Sequence, residues 1–177
     1  SNHSGSLSSS NINTIMEDSR GRMWIGTEGG GLNRWGSERG LFEHYRHIKD
    51  RPESLSNDNV KTLLEDDNGT IWVGTDGGLN LLHPQNNQIE RHRHSNGDQF
   101  SLGSDFVMNI YDDGHGTIWV GTAGGAVNRF QITHQRFGHY KHRPGNPYSL
   151  SQNMVLNMLV DSYGTLWVAT RGGGLNY

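Results

Sequence analysis

The chain has 177 residues, a net charge of −3 and a mean hydropathy of −0.73, so it is long enough for one domain with a sizeable core. The small charge gives no reason to expect nucleic acid or an anionic membrane as a partner, and no apolar run is long enough for a transmembrane helix or a signal peptide. The absence of cysteine excludes disulfides, thiolate metal sites and cysteine catalysis, while 25 glycines and only four prolines favour many turns.

The first five residues, SNHSG, resemble the remnant of an expression tag, and we expect residues 1–5 to be disordered. From residue 6 onward the sequence repeats itself, with Asp six residues before and Thr three residues after a tryptophan in each copy. These tryptophans, which stand 48, 47 and 48 residues apart, are Trp24, Trp72, Trp119 and Trp167. The copies predict units at 6–53, 54–100, 101–148 and 149–177, the last of them partial.

Each copy predicts four β-strands in chain order. In the second copy the first strand is expected near 59–64 and the second, IWVGT, at 71–75, because a continuous apolar run is typical of a strand covered on both faces. A polar turn closed by Gly separates them, the third strand follows a Gly pair, and the fourth is the alternating segment QIERHRH. Four antiparallel strands in 47–48 residues predict one blade of a β-propeller, and no helical periodicity favours a helical repeat.

The fourth copy stops at Tyr177 within its third strand, so we expect it to lack the outer strand that the other copies have. The chain is therefore predicted to be an all-β propeller fragment of a longer array. A propeller normally hides its blade faces and sheet edges by closing into a ring. We expect the open faces of this fragment to be covered by self-association or by closure into a tight ring of four blades.

The segments EDDNGTIWVGTDGGLNLL, YRHIKDRPESLSNDNV and YKHRPGNPYSLSQNMV resemble the two-component regulator propeller repeat of bacteria. The resemblance covers residues 5–177. Its departures are Gly103 in place of the second Ser of Ser-Leu-Ser, Ala126-Val127 in place of Gly-Leu, and Ala169 in place of Gly.

The resemblance implies a periplasmic or extracytoplasmic sensor domain of a bacterial sensor histidine kinase, hybrid two-component system or diguanylate cyclase. Some members of the family detect carbohydrate fragments, so it implies a non-catalytic module that binds an unknown small ligand, such as an oligosaccharide, without a cofactor. The alternatives are part of a propeller lyase or glycoside hydrolase, or a protein-interaction scaffold, because propellers host many activities.

The repeated residues are predicted to be structural. The four tryptophans are expected to pack between blades, the Asp-containing turns to bond their own backbone rather than calcium, and the Gly pairs to form turns rather than phosphate loops. His47, His94 and His142 recur at one repeat position, and His44 and His139 recur three residues earlier. Equivalent positions in neighbouring blades are too far apart for one zinc ion, so no metal site is predicted. No set of nucleophile, base and orienting group can be read from the sequence, so no catalytic residue is predicted.

Ligand-binding residues are expected where the copies differ. The loop before each copy and the turn after its second strand are predicted to share one face of the propeller, and loops on a rigid scaffold commonly carry function. The candidates on this face are Glu28, Asp76, Arg171, Arg51, Arg143 and Tyr148. The alternative is that these positions show ordinary variation of surface residues.

Overall fold

The structure is a computed structural model that describes residues 5–36 and 40–177. The predicted tag remnant, apart from Gly5, lies outside the described residues. The described chain forms fifteen strands in four antiparallel sheets, which contain four, four, four and three strands. Within these ranges, no helix has the length and apolar character that crossing a membrane requires.

In every sheet the strands are neighbours in the order in which they occur in the chain, so each repeat forms one meander, or blade. The first sheet consists of β1 (Ile12–Glu17), β2 (Met23–Thr27), β3 (Gly31–Gly36) and β4 (Leu41–Tyr45). The second consists of β5 (Val60–Glu65), β6 (Ile71–Thr75), β7 (Gly78–His83) and β8 (Gln88–His92). The third consists of β9 (Val107–Asp112), β10 (Thr117–Thr122), β11 (Ala126–Gln131) and β12 (Arg136–Tyr140). The fourth consists of β13 (Val155–Val160), β14 (Leu166–Thr170) and β15 (Gly174–Asn176).

The predicted all-β architecture of propeller blades is confirmed. Strand β6 begins and ends where the sequence placed it, and all five of its residues are buried, because its apolar run is covered on both faces. Strand β5 begins at Val60, one residue later than expected. The sequence pattern therefore predicted the number and order of the strands and the bounds of β6, while β8 ends at His92, two residues before the end of the predicted segment.

The sheets form two compact units, one up to Arg91 and the other from His92 onward. In the first unit the apolar core lies between the first and second sheets. Trp24 and Leu32 of the first sheet pack against residues that belong to the second repeat, namely Leu55, Val60, Ile71, Val73 and Leu82. Ile89, on the outermost strand β8, packs against the same cluster.

In the second unit the corresponding core lies between the third and fourth sheets. Val127 of the third sheet packs against Val155, Met158 and Val168 of the fourth. Further apolar side chains that are only partly buried pack against this cluster, namely Trp119, Leu150 and Leu166.

The first strand of every sheet is interrupted by a bulge at the same place. One residue of that strand is left out of the pairing with the second strand: Asn13, Lys61, Met108 or Leu156. A bulge takes a side chain out of the regular alternation and is common next to binding sites. The bulged Asn13 uses its side-chain amide to donate a hydrogen bond of 2.9 Å to the carbonyl of Val60, which links the first two sheets.

Candidate functional site

The turn between the first and second strands of each sheet is held by an aspartate that also binds the repeated tryptophan. In the first sheet, Oδ1 of Asp18 accepts hydrogen bonds from the amides of Arg20 and Arg22, at 3.0 and 2.9 Å. Its Oδ2 accepts the indole N–H of Trp24 at 2.7 Å. We call this Asp–Trp contact the clamp. The clamp recurs in the other three sheets. The distances from the indole nitrogen to Oδ2 are 2.9 Å for Trp72 and Asp66, 3.3 Å for Trp119 and Asp113, and 2.8 Å for Trp167 and Asp161.

The clamp changes the acidity of the carboxyl groups. Burial of Asp18 acts to raise its pKa, but the hydrogen bonds from the Trp24 indole and from Arg22 outweigh burial, so the pKa lies below its ordinary value. The pKa of Asp161 is also lowered, chiefly by the hydrogen bond from the indole of Trp167. These carboxylates are therefore charged at neutral pH and engaged by donors of their own turn. The sequence carried the signal for this contact in the constant spacing of six residues, but the clamp was not predicted.

The histidines at the first repeated position fasten the long loop that follows each outer strand. Nδ1 of His47 lies 2.8 Å from the carbonyl oxygen of Leu55, and because a carbonyl only accepts, this nitrogen carries the hydrogen. The rings of His94 and His142 contact the carbonyls of the corresponding leucines at 2.8 and 2.7 Å. Within the described residues there is no group of three His, Asp or Glu side chains arranged to hold a metal ion.

A second contact, made by the histidines three residues earlier, ties the outer strand to the segment that precedes the first strand of its own sheet. Nε2 of His44 lies 2.8 Å from the carbonyl of Ser6, and Nε2 of His139 lies 2.8 Å from the carbonyl of Ser101. Burial lowers the pKa of His139 more than this contact raises it, so its imidazole is neutral at pH 7. In the second repeat an arginine, Arg91, takes the place of the histidine.

The turn after the second strand contacts the loop that leads into the next sheet. In the first unit the amide of Gly29 donates to Oδ1 of Asn59 at 2.7 Å. In the second unit the amides of Gly124 and Ala126 both donate to the carbonyl of Asn153, at 3.2 and 3.0 Å. These contacts place the turns and the loops together, as the sequence led us to expect. We call the surface that they form in each unit the loop face; its turns are 27–31, 75–78, 122–126 and 170–174.

Three of the six candidate residues lie on turns of the loop face. Glu28, in the first unit, is exposed, and so is Arg171 in the second. Asp76 is only half-buried, and its Oδ2 accepts the side-chain amide of Asn59 at 3.0 Å and lies 3.6 Å from the ammonium of Lys61, the bulged residue of β5. The structure therefore gives Asp76 partners that the sequence did not reveal.

The other three candidates lie on the long loops. Arg51 is exposed, while its backbone carbonyl accepts the guanidinium of Arg91 at 2.7 Å. Arg143 and Tyr148 belong to the second unit, where both line a groove of about 870 Å³ between the third and fourth sheets. The side chain of Tyr148 is 96% exposed. Of the six candidates, the structure brings these two into one concave site.

Comparison with known proteins assigns the repeat to a family. A profile of the two component regulator propeller matches residues 6–29, 54–77, 101–124 and 149–172, which is more than half of the chain. The chain belongs to this family. Each matched segment begins at the Ser-Leu pair of the long loop and ends in the turn of the loop face, so two component regulator propellers are recognised by the part of the blade that builds this face. The comparison with curated protein sequences found no match.

Solved structures share the fold of this two component regulator propeller. Crystal structures described as extracellular domains of hybrid two component systems of B. thetaiotaomicron, BT3049 and BT4673, superpose with TM-scores of 0.85 and 0.76, each at 22% identity. They match over 96% and 93% of this chain, which spans 23% of each of their own chains. An enzyme, virginiamycin B lyase from Staphylococcus aureus, matches over 93% of this chain and 54% of its own with a TM-score of 0.59 and 14% identity. The blade fold is thus common to extracellular domains and to an enzyme, and the fold alone does not decide the function.

Proposed function

We propose that this two component regulator propeller is a non-catalytic sensory module of a bacterial signal-transduction protein, that it lies outside the cytoplasm, and that it binds a small ligand on its loop face. The family itself supports the signalling role. The extracellular domains with the same fold support the location. Oligosaccharides are the ligand class that we favour, in line with the family resemblance described above.

The observation that carries this proposal is a constant backbone with changing side chains. The contacts of Asn59 in the first unit and Asn153 in the second fix the turns of the loop face. On that fixed backbone the residue after the repeated Thr is acidic in Glu28 and Asp76 but basic in Arg171. A rigid scaffold that presents different polar groups fits ligand recognition, since the entropy lost on binding is small when the site is already ordered.

The engagement of the acid–base groups supports a non-catalytic role. The carboxylate of Asp18 accepts donors from its own turn and from Trp24, and the ring of His47 donates to a loop carbonyl. A general acid or base has to exchange a proton with a substrate, and a group whose polar atoms are occupied by the fold is poorly placed to do so. These repeated groups therefore serve the architecture of the blade.

The test is a thermal-shift screen of the purified chain against a panel of oligosaccharides, followed by calorimetry on any sugar that raises the melting temperature. A ligand that binds only the folded state at about 100 times its Kd adds roughly 2.7 kcal/mol of stability. Glu28→Ala should weaken the binding of a sugar to the loop face of the first unit, and Arg171→Ala its binding to the loop face of the second. Arg20→Ala changes an exposed residue in a turn at the other end of its sheet and should leave binding unchanged. Conversion of the sugar during the assay would favour the lyase or hydrolase alternative. If no sugar raises the melting temperature, oligosaccharides are excluded as the ligand class.

We also propose self-association through exposed apolar side chains of the blade faces. In the first unit Ile15 is 57% exposed, and in the second unit Leu159 and Leu175 are 59% and 63% exposed. Exposed apolar patches mark contact surfaces. Sedimentation velocity at several concentrations should show association that Leu159→Asp reduces, and a monomer at every concentration would contradict it.

A further inference from the structure

The sequence contains two Asn-Gly pairs, and the structure places them differently. Asn68-Gly69 lies in the turn between β5 and β6, and Asn96-Gly97 lies in the long loop that leads to β9. When glycine follows asparagine, the next backbone nitrogen can approach the side-chain amide easily, because glycine has no side chain to obstruct it. Whether such a pair reacts in the folded protein depends on what holds the amide of the glycine.

At the first pair the turn holds the glycine amide. The amide of Gly69 donates to the carbonyl of Asp66 at 2.8 Å, so Gly69 is the last residue of the turn and its nitrogen closes it. Oδ1 of Asp66 also accepts the amides of Asn68 and Thr70, at 2.9 and 3.0 Å. The nitrogen of Gly69 has to leave its hydrogen bond before it can react. The fold therefore protects Asn68.

At the second pair the glycine stands one position earlier in its turn. The amide of Asp98 donates to the carbonyl of Ser95 at 3.2 Å. Asn96 and Gly97 are therefore the two central residues, and Gly97 has the positive φ, +94°, that the third residue of a type II turn requires. The fourth residue donates the closing bond of such a turn. Within the described residues, the amide of Gly97 has no hydrogen-bond partner.

The second pair is also open to solvent. Residues 93–100 are all exposed. Apart from its neighbours in the chain, no atom of the described residues lies within 4 Å of the point that a Cβ on Gly97 would occupy. The side chain of Asn96 contacts the ring of His94, with 3.1 Å between Oδ1 and Nε2. The nitrogen that would attack is therefore accessible, and so is the carboxamide that it would attack.

The other long loops repeat the turn but not the pair. Asp50 and Gly145 stand at the repeat position of Gly97 and have φ values of +61° and +80°. The residues in front of them are Lys49 and Pro144. The left-handed conformation thus belongs to the repeat and explains the glycine. The asparagine in front of that glycine is particular to the third repeat.

We propose that Asn96 is a site of spontaneous deamidation, which converts this long loop into an acidic form. The nitrogen of Gly97 attacks Cγ of Asn96 and forms a cyclic imide, while the bond from Cγ to Nδ2 breaks. Nδ2 leaves as ammonia and carries away the proton of the Gly97 amide. Water then opens the imide at Cγ or at the main-chain carbonyl carbon of Asn96, and the products are isoaspartate and aspartate. The reaction needs no reagent other than water.

The modification changes both the charge and the backbone of the loop. Either product adds one negative charge to a chain whose net charge is −3. Isoaspartate also carries the chain through its Cβ, which lengthens the backbone between Ser95 and Asp98 and disturbs the turn that they close. The same loop ends at the loop face of the second unit, where the hydroxyl of Ser104 donates to the carbonyl of Ala123 at 2.9 Å. Deamidation therefore alters a segment that leads directly to this face.

The experiment incubates the folded chain at neutral pH for several weeks and follows the peptides of both pairs by mass spectrometry. Deamidation raises the mass of a peptide by about one dalton, the difference between the water gained and the ammonia lost. Asn96 should react at least about tenfold faster than Asn68, because opening the turn of Gly69 breaks several hydrogen bonds of about 1 kcal/mol each. In concentrated urea the two pairs should react at similar rates, since the unfolded chain holds neither glycine amide.

Matched variants assign the product to its site. Asn96→Gln should prevent the acidic form that isoelectric focusing detects in the aged protein, because a glutamine would have to form a larger ring that closes more slowly. Asn68→Gln should leave that form unchanged. The proposal is overturned if Asn68 reacts as fast as Asn96 in the folded chain, or if Asn68→Gln removes the acidic form. It is also overturned if Asn96 reacts no faster than Asn146, because Pro147, which follows Asn146, has no N–H and cannot form the imide.

Discussion

The clusters between the first two blades and between the last two are built from residues at the same repeat positions, yet they differ in exposure. Trp24, Leu55 and Ile71 are fully buried in the first unit. Their counterparts in the second unit, which include Trp119 and Leu150, are only partly buried. The difference coincides with the outer strand, because Ile89 of β8 covers the first cluster whereas the second opens into the groove.

The two units show that contact between blades and exclusion of water from that contact depend on different residues. The tryptophan and its neighbours set the contact between blades in both units, and the outer strand decides whether that contact is sealed from water. A sealed apolar contact gains the full transfer free energy of its side chains, whereas an open one gains only part of it. The following substitutions test this difference between the two units.

Replacing the tryptophans should have the largest effect. Trp24→Ala should lower the free energy of unfolding by about 3–5 kcal/mol, because it leaves a cavity in a sealed cluster. Trp119→Ala should lower it by about 2–3 kcal/mol, since part of its ring already contacts water. Urea unfolding followed by circular dichroism measures both. Equal losses would show that the second cluster is as closed in solution as the first.

Removing the clamp carboxylate should come next. Asp18→Ala leaves the buried indole N–H of Trp24 without its acceptor and should cost about 3 kcal/mol. Asp161→Ala should cost less, because its clamp with Trp167 is only partly buried. The side-chain oxygen in Asp18→Asn should restore part of the loss, and the measurement is again urea unfolding. An equal loss for Asp18→Ala and Asp161→Ala would contradict the role of burial.

The same clamps predict acid sensitivity with a definite sign. The pKa values of Asp18 and Asp161 are lower in the folded state than their ordinary value of 3.8. The unfolded chain therefore binds protons first, so this stabilisation is complete above the unfolded pKa and is lost as the pH falls through the folded pKa. Thermal unfolding between about pH 6 and pH 2 should show a falling melting temperature below roughly pH 4, and a smaller fall in Asp18→Asn. A melting temperature that stays constant over this range would refute the prediction.

The polar contact of β8 should have an intermediate effect. Arg91 donates to the carbonyl and hydroxyl of Ser54 and to the carbonyl of Leu55. Arg91→Ala should cost about 1.5–3 kcal/mol, because it removes charge-assisted hydrogen bonds at a partly buried edge. Arg91→His should keep much of the stability, since His44 and His139 make the equivalent contact. Urea unfolding measures the stability of both variants. If Arg91→His is as unstable as Arg91→Ala, histidine and arginine are not equivalent at this position.

The smallest effect on stability is expected from replacing Ala126 of the third blade by glycine. Ala126 has a φ of +66°, in the left-handed region, where the equivalent Gly31 has a φ of +77°. Ala126→Gly should therefore raise the melting temperature modestly, with a gain of up to about 1 kcal/mol, because it relieves a backbone conformation that favours glycine. Differential scanning calorimetry resolves such a change. A decrease in melting temperature would mean that the buried methyl group of Ala126 contributes more than the strain costs.

The sequence predicted the blades because their signals are local and repeated four times. The run at Ile71–Thr75 and the spacing of the tryptophans determine strand order without any long-range information. The contact of Lys61 with Asp76 could not be predicted from the sequence, because it depends on a bulge that shifts the register of β5 against β6. The groove beside Tyr148 was also not predicted, because it forms only where the third and fourth sheets pack against each other. The strand pattern could therefore be predicted from local sequence, whereas individual side-chain contacts, including the clamp of Asp18 with Trp24, could not.

The clamp also bears on how four nearly identical hairpins avoid pairing with one another's strands. It joins Asp18 to Trp24, six residues apart, whereas the equivalent strand of the next repeat lies 48 residues away. The entropic cost of closing a loop grows with its length, so each hairpin forms with its own partner before a distant copy can compete. Such local closure lets folding nucleate in any blade and keeps the register of a chain that repeats its own sequence.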